Sequence, residues 1–225
     1  MSILLPVFRL FSQIILHFLD ICAILVNSIN IRMANMEEAY VEKSVRTRLI
    51  LAGIAELEEH GLNDFSLRRV AVACEVSCAA PYRHFKSKDD LIIGIINYIN
   101  SRWIMLQDQI SAAFPSDKKR RLIEIGVAHI RFWIANPNFR SIILMDDQGE
   151  NSQRREERKK ISDSIEREIS AYCSEKSVSD ADYVRISYAF RALIYGTVLL
   201  LGNGEIDNDQ VTIDNIKRQF SDILP

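Results

Sequence analysis

The side chains able to do covalent or metal chemistry are few and poorly spaced for it. Cysteines stand at 22, 74, 78 and 173, without the paired spacing of a zinc site and with no histidine close enough in sequence to complete a metal set. A chain of 225 residues does not need disulfide staples, so the thiols are expected reduced, as in a cytoplasmic protein. His84 has no nucleophile or orienting acid beside it in a recognisable pattern, so no catalytic residue, metal ligand or cofactor is assigned. Recognition chemistry remains. Arg68, Arg69 and Arg83 carry guanidinium forks that can make two parallel hydrogen bonds to a planar acceptor.

The elements that must position these arginines are helices. From residue 41 onward apolar residues recur at helical spacing, and a content of 8 Gly and 5 Pro leaves long stretches uninterrupted. The spacing predicts a helix over 43–60, with Val45, Leu49, Ala52, Gly53 and Leu57 on one face and Gly61 as its stop. Ser66 caps a second helix carrying Leu67, Val70, Ala71 and Cys74. After a break at 75–76, Ser77 is the expected cap of a short third helix over 78–84. Ser87 caps a fourth, with Asp89 and Asp90 in its first turn and the stripe Leu91, Ile95, Ile99 and Trp103. Further helices are expected over 118–135, over 138–145, after a polar loop at 146–152, over 180–202 and over 209–223. No alternating pattern long enough for a sheet is present, so the fold class is all-α.

Two short helices joined by a tight turn make a helix-turn-helix. The string Ser66-Leu-Arg-Arg-Val70-Ala71, then Val76-Ser77, Tyr82-Arg83-His84-Phe85, Lys86-Ser87-Lys88 and Leu91 resembles the N-terminal domain of the TetR (tetracycline-repressor-like) family. Gly61 and the face Leu49/Ala52/Gly53/Leu57 agree with that family's first helix. One departure is Glu75, where the family usually has Gly; the expectation is either an uncommon positive φ at this residue or a slightly different turn.

The resemblance implies a third helix lying in the major groove of a double-stranded DNA operator. Cys78, Ala79 and Ala80 are small enough for close approach, and Pro81 is expected to interrupt the helix and shorten what is read. Arg83, with Arg68 or Arg69, is the expected bidentate reader of guanine. Phosphate contacts are implied for Ser66, Ser77, Tyr82, His84 and Lys88, and more weakly for Thr47. The formal charge of −2 neither favours nor excludes this partner, since only the side chains touching the backbone neutralise phosphate.

The resemblance thus implies a DNA-binding domain over 41–90 and a regulatory and dimerisation domain over 91–225. The stretch Phe132-Trp133-Ile-Ala-Asn136-Pro137-Asn-Phe139-Arg140 resembles the F-x-x-x-N-P segment of one regulatory subfamily. Ala192-Leu193-Ile194-Tyr195-Gly196 resembles its small-residue helix, with Tyr195 where that pattern has His. Trp103, Phe132, Trp133, Phe139, Tyr188 and Tyr195 are candidates to line a pocket for a small apolar or amphipathic effector. A two-fold operator implies a homodimer, with 180–202 and 209–223 as its expected faces. The basic run Arg154, Arg155, Arg158, Lys159 and Lys160 is expected to be a solvated helix start.

Residues 1–35 stand apart. Leu10 to Val26 is strongly apolar but holds Gln13, His17 and Asp20, and an acid at the centre of a spanning helix costs about 2.5–3.5 kcal/mol. The preferred expectation is an over-extended start, with Met33 or Met36 as initiator. The alternative is a membrane-associated sensor or interaction protein anchored by residues 3–31.

Overall fold

A computed structural model describes residues 44–144 and 152–225. The chain divides into compact units of residues 1–48 and 49–225, and of the first only 44–48 are described. The expectations for residues 1–35, including the anchor at 3–31, lie outside the described residues, as does nearly all of the loop expected at 146–152.

Among the described residues the secondary structure is helical throughout, without a strand. The helices are α1 (Val45–His60), α2 (Leu67–Ala73), α3 (Ala80–His84), α4 (Lys88–Ala113), α5 (Lys118–Ala135), α6 (Pro137–Leu144), α7 (Ser152–Glu175), α8 (Asp180–Gly202) and α9 (Gln210–Ile223). Their ends follow side-chain chemistry. Ser66, Ser87, Asp117, Ser179 and Asp209 each accept a hydrogen bond from a backbone N–H in the first turn of the helix they precede. Gly61, with φ of 69°, ends α1.

The first three helices pack with the start of α4 around Leu49, Val70, Ala71, Phe85, Leu91 and Ile95, all buried. Gly94 lets α4 lie against Phe85: a Cβ there would come within 2.9 Å of the phenyl ring. This contact seats the exit of α3 on α4.

In the body, α5 is the central helix and touches α4, α6, α7, α8 and α9. A polar seam joins α4 to α7. Asn100 Nδ2 donates to Glu157 O at 2.9 Å, and Trp103 Nε1 donates to Ser164 Oγ at 2.9 Å. Gln107 Nε2 donates to Ser164 O at 3.4 Å, so positions i, i+3 and i+7 of α4 all face α7. Arg154 departs from expectation. Its basic run was read as a solvated helix start, but Arg154 is 8% exposed, with Nη1 3.7 Å from Asp89 Oδ1 at the head of α4.

Candidate functional site

Helices α2 and α3 are joined by the turn that the sequence marked at Glu75. Glu75 N donates to Val72 O at 3.0 Å and Val76 N to Ala71 O at 3.1 Å, the paired bonds of a Schellman motif. Such a motif needs a left-handed residue after the helix, and Glu75 has φ of 55°. The chain holds the geometry without the glycine.

The start of α3 differs from the expectation. Ser77 does not cap it through its hydroxyl; instead Ala80 N donates to Ser77 O at 2.8 Å, Cys78 and Ala79 form a turn, and the helix opens at Ala80. Pro81 therefore sits in the first turn, where its missing N–H is not required, and it initiates the helix rather than interrupting it.

The surface turned away from the core is formed by Tyr82 and Arg83 of α3 with Cys78 and Ala79 of the turn before it, all exposed, while Pro81 and Phe85 are buried. Tyr82 is 60% exposed. His84, Ser77 and Arg68 are exposed, Ser66 and Ala80 are half-buried, and Thr47 is buried in the first turn of α1. Lys88 is half-buried, with Nζ 3.5 Å from Asn63 O and 5.8 Å from the Phe65 ring centroid.

The three candidate arginines separate. Arg68 and Arg83 are exposed, but the Arg69 guanidinium is tied down by Glu56 of α1. Nη2 and Nε lie 2.5 and 2.8 Å from Glu56 Oε1, and Nη2 also donates to Asp64 O. Burial alone would raise the Glu56 carboxyl, but hydrogen bonds from Arg69 and the Ser66 N–H, with the charges of Arg69 and His60, hold it below the ordinary carboxylate range. Glu56 was not a sequence candidate. A glutamate buried in an otherwise apolar helix face was the available signal.

Four of the six aromatic candidates come together in the body. Trp103, Phe132 and Trp133 are buried and Phe139 is half-buried. Phe132 lies 5.7 Å from Trp103, 5.1 Å from Trp133 and 6.0 Å from Phe139 between ring centroids. Beside the two tryptophans is His129, its ring 4.5 Å from Trp103 and 5.4 Å from Trp133. Desolvation pushes the imidazole down to about 3, so it is neutral at pH 7. Tyr188 and Tyr195 do not join this cluster. They stand on the outward side of α8, 77% and 38% exposed, because the inward stripe is Ile186, Phe190, Ile194 and Val198.

Residues 49–95 match the family model described as bacterial regulatory proteins, tetR family. A proposed fatty acid metabolism regulator of Clostridium perfringens has a similar structure, with 20% identity, a TM-score of 0.65 and coverage of 79% of this chain and 98% of that one. A TetR transcriptional regulator from Legionella pneumophila is 17% identical, with a TM-score of 0.64 and coverage of 81% and 98%. The multidrug binding protein EbrR, complexed with imidazole, is 15% identical, with a TM-score of 0.54 and coverage of 81% and 96%. At these identities the likeness is one of fold. Among curated proteins no match is found.

Proposed function

We propose, from the match of residues 49–95 to the tetR family of bacterial regulatory proteins, a cytoplasmic, homodimeric repressor that a small effector releases from its operator. Residues 41–90 bind the duplex, and 91–225 bind the effector and the second copy.

The observation that carries the DNA-binding part is the outward face of α3. Cys78 and Ala79 leave it low enough to enter a major groove, while Arg83 and Tyr82 project from the same face and Arg68 stands on α2. Arg83 and Arg68 read base edges, and Ser66, Ser77, Tyr82, His84 and Lys88 position the backbone. Thr47 is the weakest of the contacts because it is buried.

The homodimer is supported by α8. Besides its buried stripe it exposes Val184, Tyr188, Tyr195 and Leu199, at i, i+4, i+11 and i+15 along one face. Val211 of α9 is exposed as well. A continuous apolar helix face is suited to a self-complementary two-fold contact. α8 is also long and apolar enough to cross a membrane, but its inner stripe packs in the body against α5. The membrane-anchored alternative is not favoured, since the fold is that of DNA-binding regulators.

Selection of bound duplexes from a random pool tests the reading. The expected product is a two-fold symmetric site retained by the wild type and lost by Arg83→Ala. Retention independent of sequence, or unchanged by that substitution, would count against it.

A further inference from the structure

Resting on the reading of 91–225 as an effector-binding body, we infer that His129 and Trp133 are the polar anchor of the effector, which is an uncharged aromatic molecule bearing a hydroxyl-like group that both donates and accepts a hydrogen bond.

The unsatisfied atoms point to it. His129 is 1% exposed and Trp133 2%, yet neither imidazole nitrogen nor the Trp133 indole N–H has a hydrogen-bond partner among the described residues. The neighbouring Trp103 shows what the fold does when it satisfies such a group, for its N–H donates to Ser164 Oγ. Buried polar atoms without partners are uncommon and costly, and three in one ring cluster are more so.

The shape and charge of the missing partner follow. A neutral imidazole presents one N–H and one bare nitrogen, and Trp133 adds a second N–H. A hydroxyl oxygen can accept from the Trp133 N–H while it donates its proton to the bare imidazole nitrogen; the imidazole N–H leaves the ring on its other side and is not reached by the same oxygen. The side chains in ring contact with these atoms' residues are aromatic, so a flat and apolar body suits the molecule. Full burial disfavours net charge on the occupant for the same reason that it keeps His129 neutral. The ring contacts continue outward from Phe132 to Phe139 and then Tyr98, at 6.0 and 6.2 Å. Phe139 and Tyr98 are half-buried, which makes them the outer end of the cluster.

The chain has two tryptophans, Trp103 and Trp133, so the two indole N–H resonances of the full-length protein report on this cluster alone. Three probes of one size separate the chemistry: p-cresol, toluene and p-toluate. Trp133→Phe assigns the resonances. The expected result is a downfield shift of the Trp133 N–H with p-cresol and at least roughly tenfold tighter binding of p-cresol than of toluene. p-Toluate should bind more weakly than p-cresol. His129→Phe should bring p-cresol down to the level of toluene, and Trp133→Phe, which preserves the ring wall, should remove part of the preference if His129→Phe disturbs the fold. Equal binding of p-cresol and toluene, tightest binding of p-toluate, or no shift in either indole would overturn the inference. No DNA enters the measurement, so a failure of the duplex selection leaves this result standing, and the reverse.

Discussion

Arg69 and Glu56 are thirteen residues apart in sequence, and two guanidinium nitrogens of the first meet one carboxylate oxygen of the second. Through this pair α2 is fixed to the end of α1, and the Ser66 N–H donates to the same oxygen at 2.9 Å. A guanidinium held so closely is positioned to set the angle of α2 rather than to read a base.

Arg69 and Arg83 should therefore fail differently. Arg69→Ala is expected to lower the thermal midpoint and to weaken binding to all duplexes alike, and Glu56→Gln should reproduce it. Arg83→Ala should leave the midpoint in place and lose about 1–3 kcal/mol of discrimination at one base pair. Thermal melts beside a duplex panel carrying single base changes separate the two. Equal loss of discrimination in both variants would remove the distinction between them.

His129 should make stability depend on pH in a window of its own. The folded imidazole titrates near 3 and the unfolded one near the ordinary 6.5, so between these values the unfolded chain binds more protons. Stability is then complete above about pH 6.5 and falls as pH drops toward 3, with a loss of about 2 kcal/mol by pH 5. Glu56 adds a loss at lower pH, because its depressed carboxyl stabilises the fold only while ionised. Urea unfolding at pH 7 and pH 5 should show the first loss in the wild type and little of it in His129→Phe. Parallel behaviour of the two proteins would exclude His129 as the source.

Glu75 occupies a left-handed position that costs a side chain roughly 1–2 kcal/mol. Glu75→Gly should relieve part of that strain, with a gain of about 0.5–1 kcal/mol and no change in duplex preference. Chemical denaturation of the two proteins checks it. A destabilised glycine variant would mean that the Glu75 side chain contributes more than its backbone costs.

Local signals made much of this legible in the sequence. The Ser66 and Ser87 caps and the bounds of α5 and α8 follow from neighbours a few residues away. What was not legible depends on distance or on choice between equal faces. The Arg69–Glu56 pair forms across a turn, so nothing near Arg69 in sequence distinguishes it from Arg68. The opening of α3 at Ala80 is set by a backbone bond to Ser77 O where a hydroxyl cap was expected. Helix α8 is apolar on two sides, and periodicity alone does not say whether Ile186 and Phe190 or Val184 and Tyr188 face the core.

That outward side of α8 gives the remaining prediction. Tyr188 and Leu199 are 77% and 59% exposed and lie on one face, so a buried two-fold contact would remove both from water. A charge placed there would be desolvated without a partner on association, which is costly, yet it would stay solvated and harmless in the monomer. Leu199→Arg and Tyr188→Asp should therefore convert a particle of twice the 25.8 kDa chain mass into a single chain with an unchanged helical spectrum. Each variant should also lose the two-fold operator while keeping weak binding to any duplex, because one reading head has only half the contacts. Sedimentation velocity decides it: a wild-type protein that runs as a monomer would rule out the homodimer, and variants that remain paired would move the dimer contact away from this face.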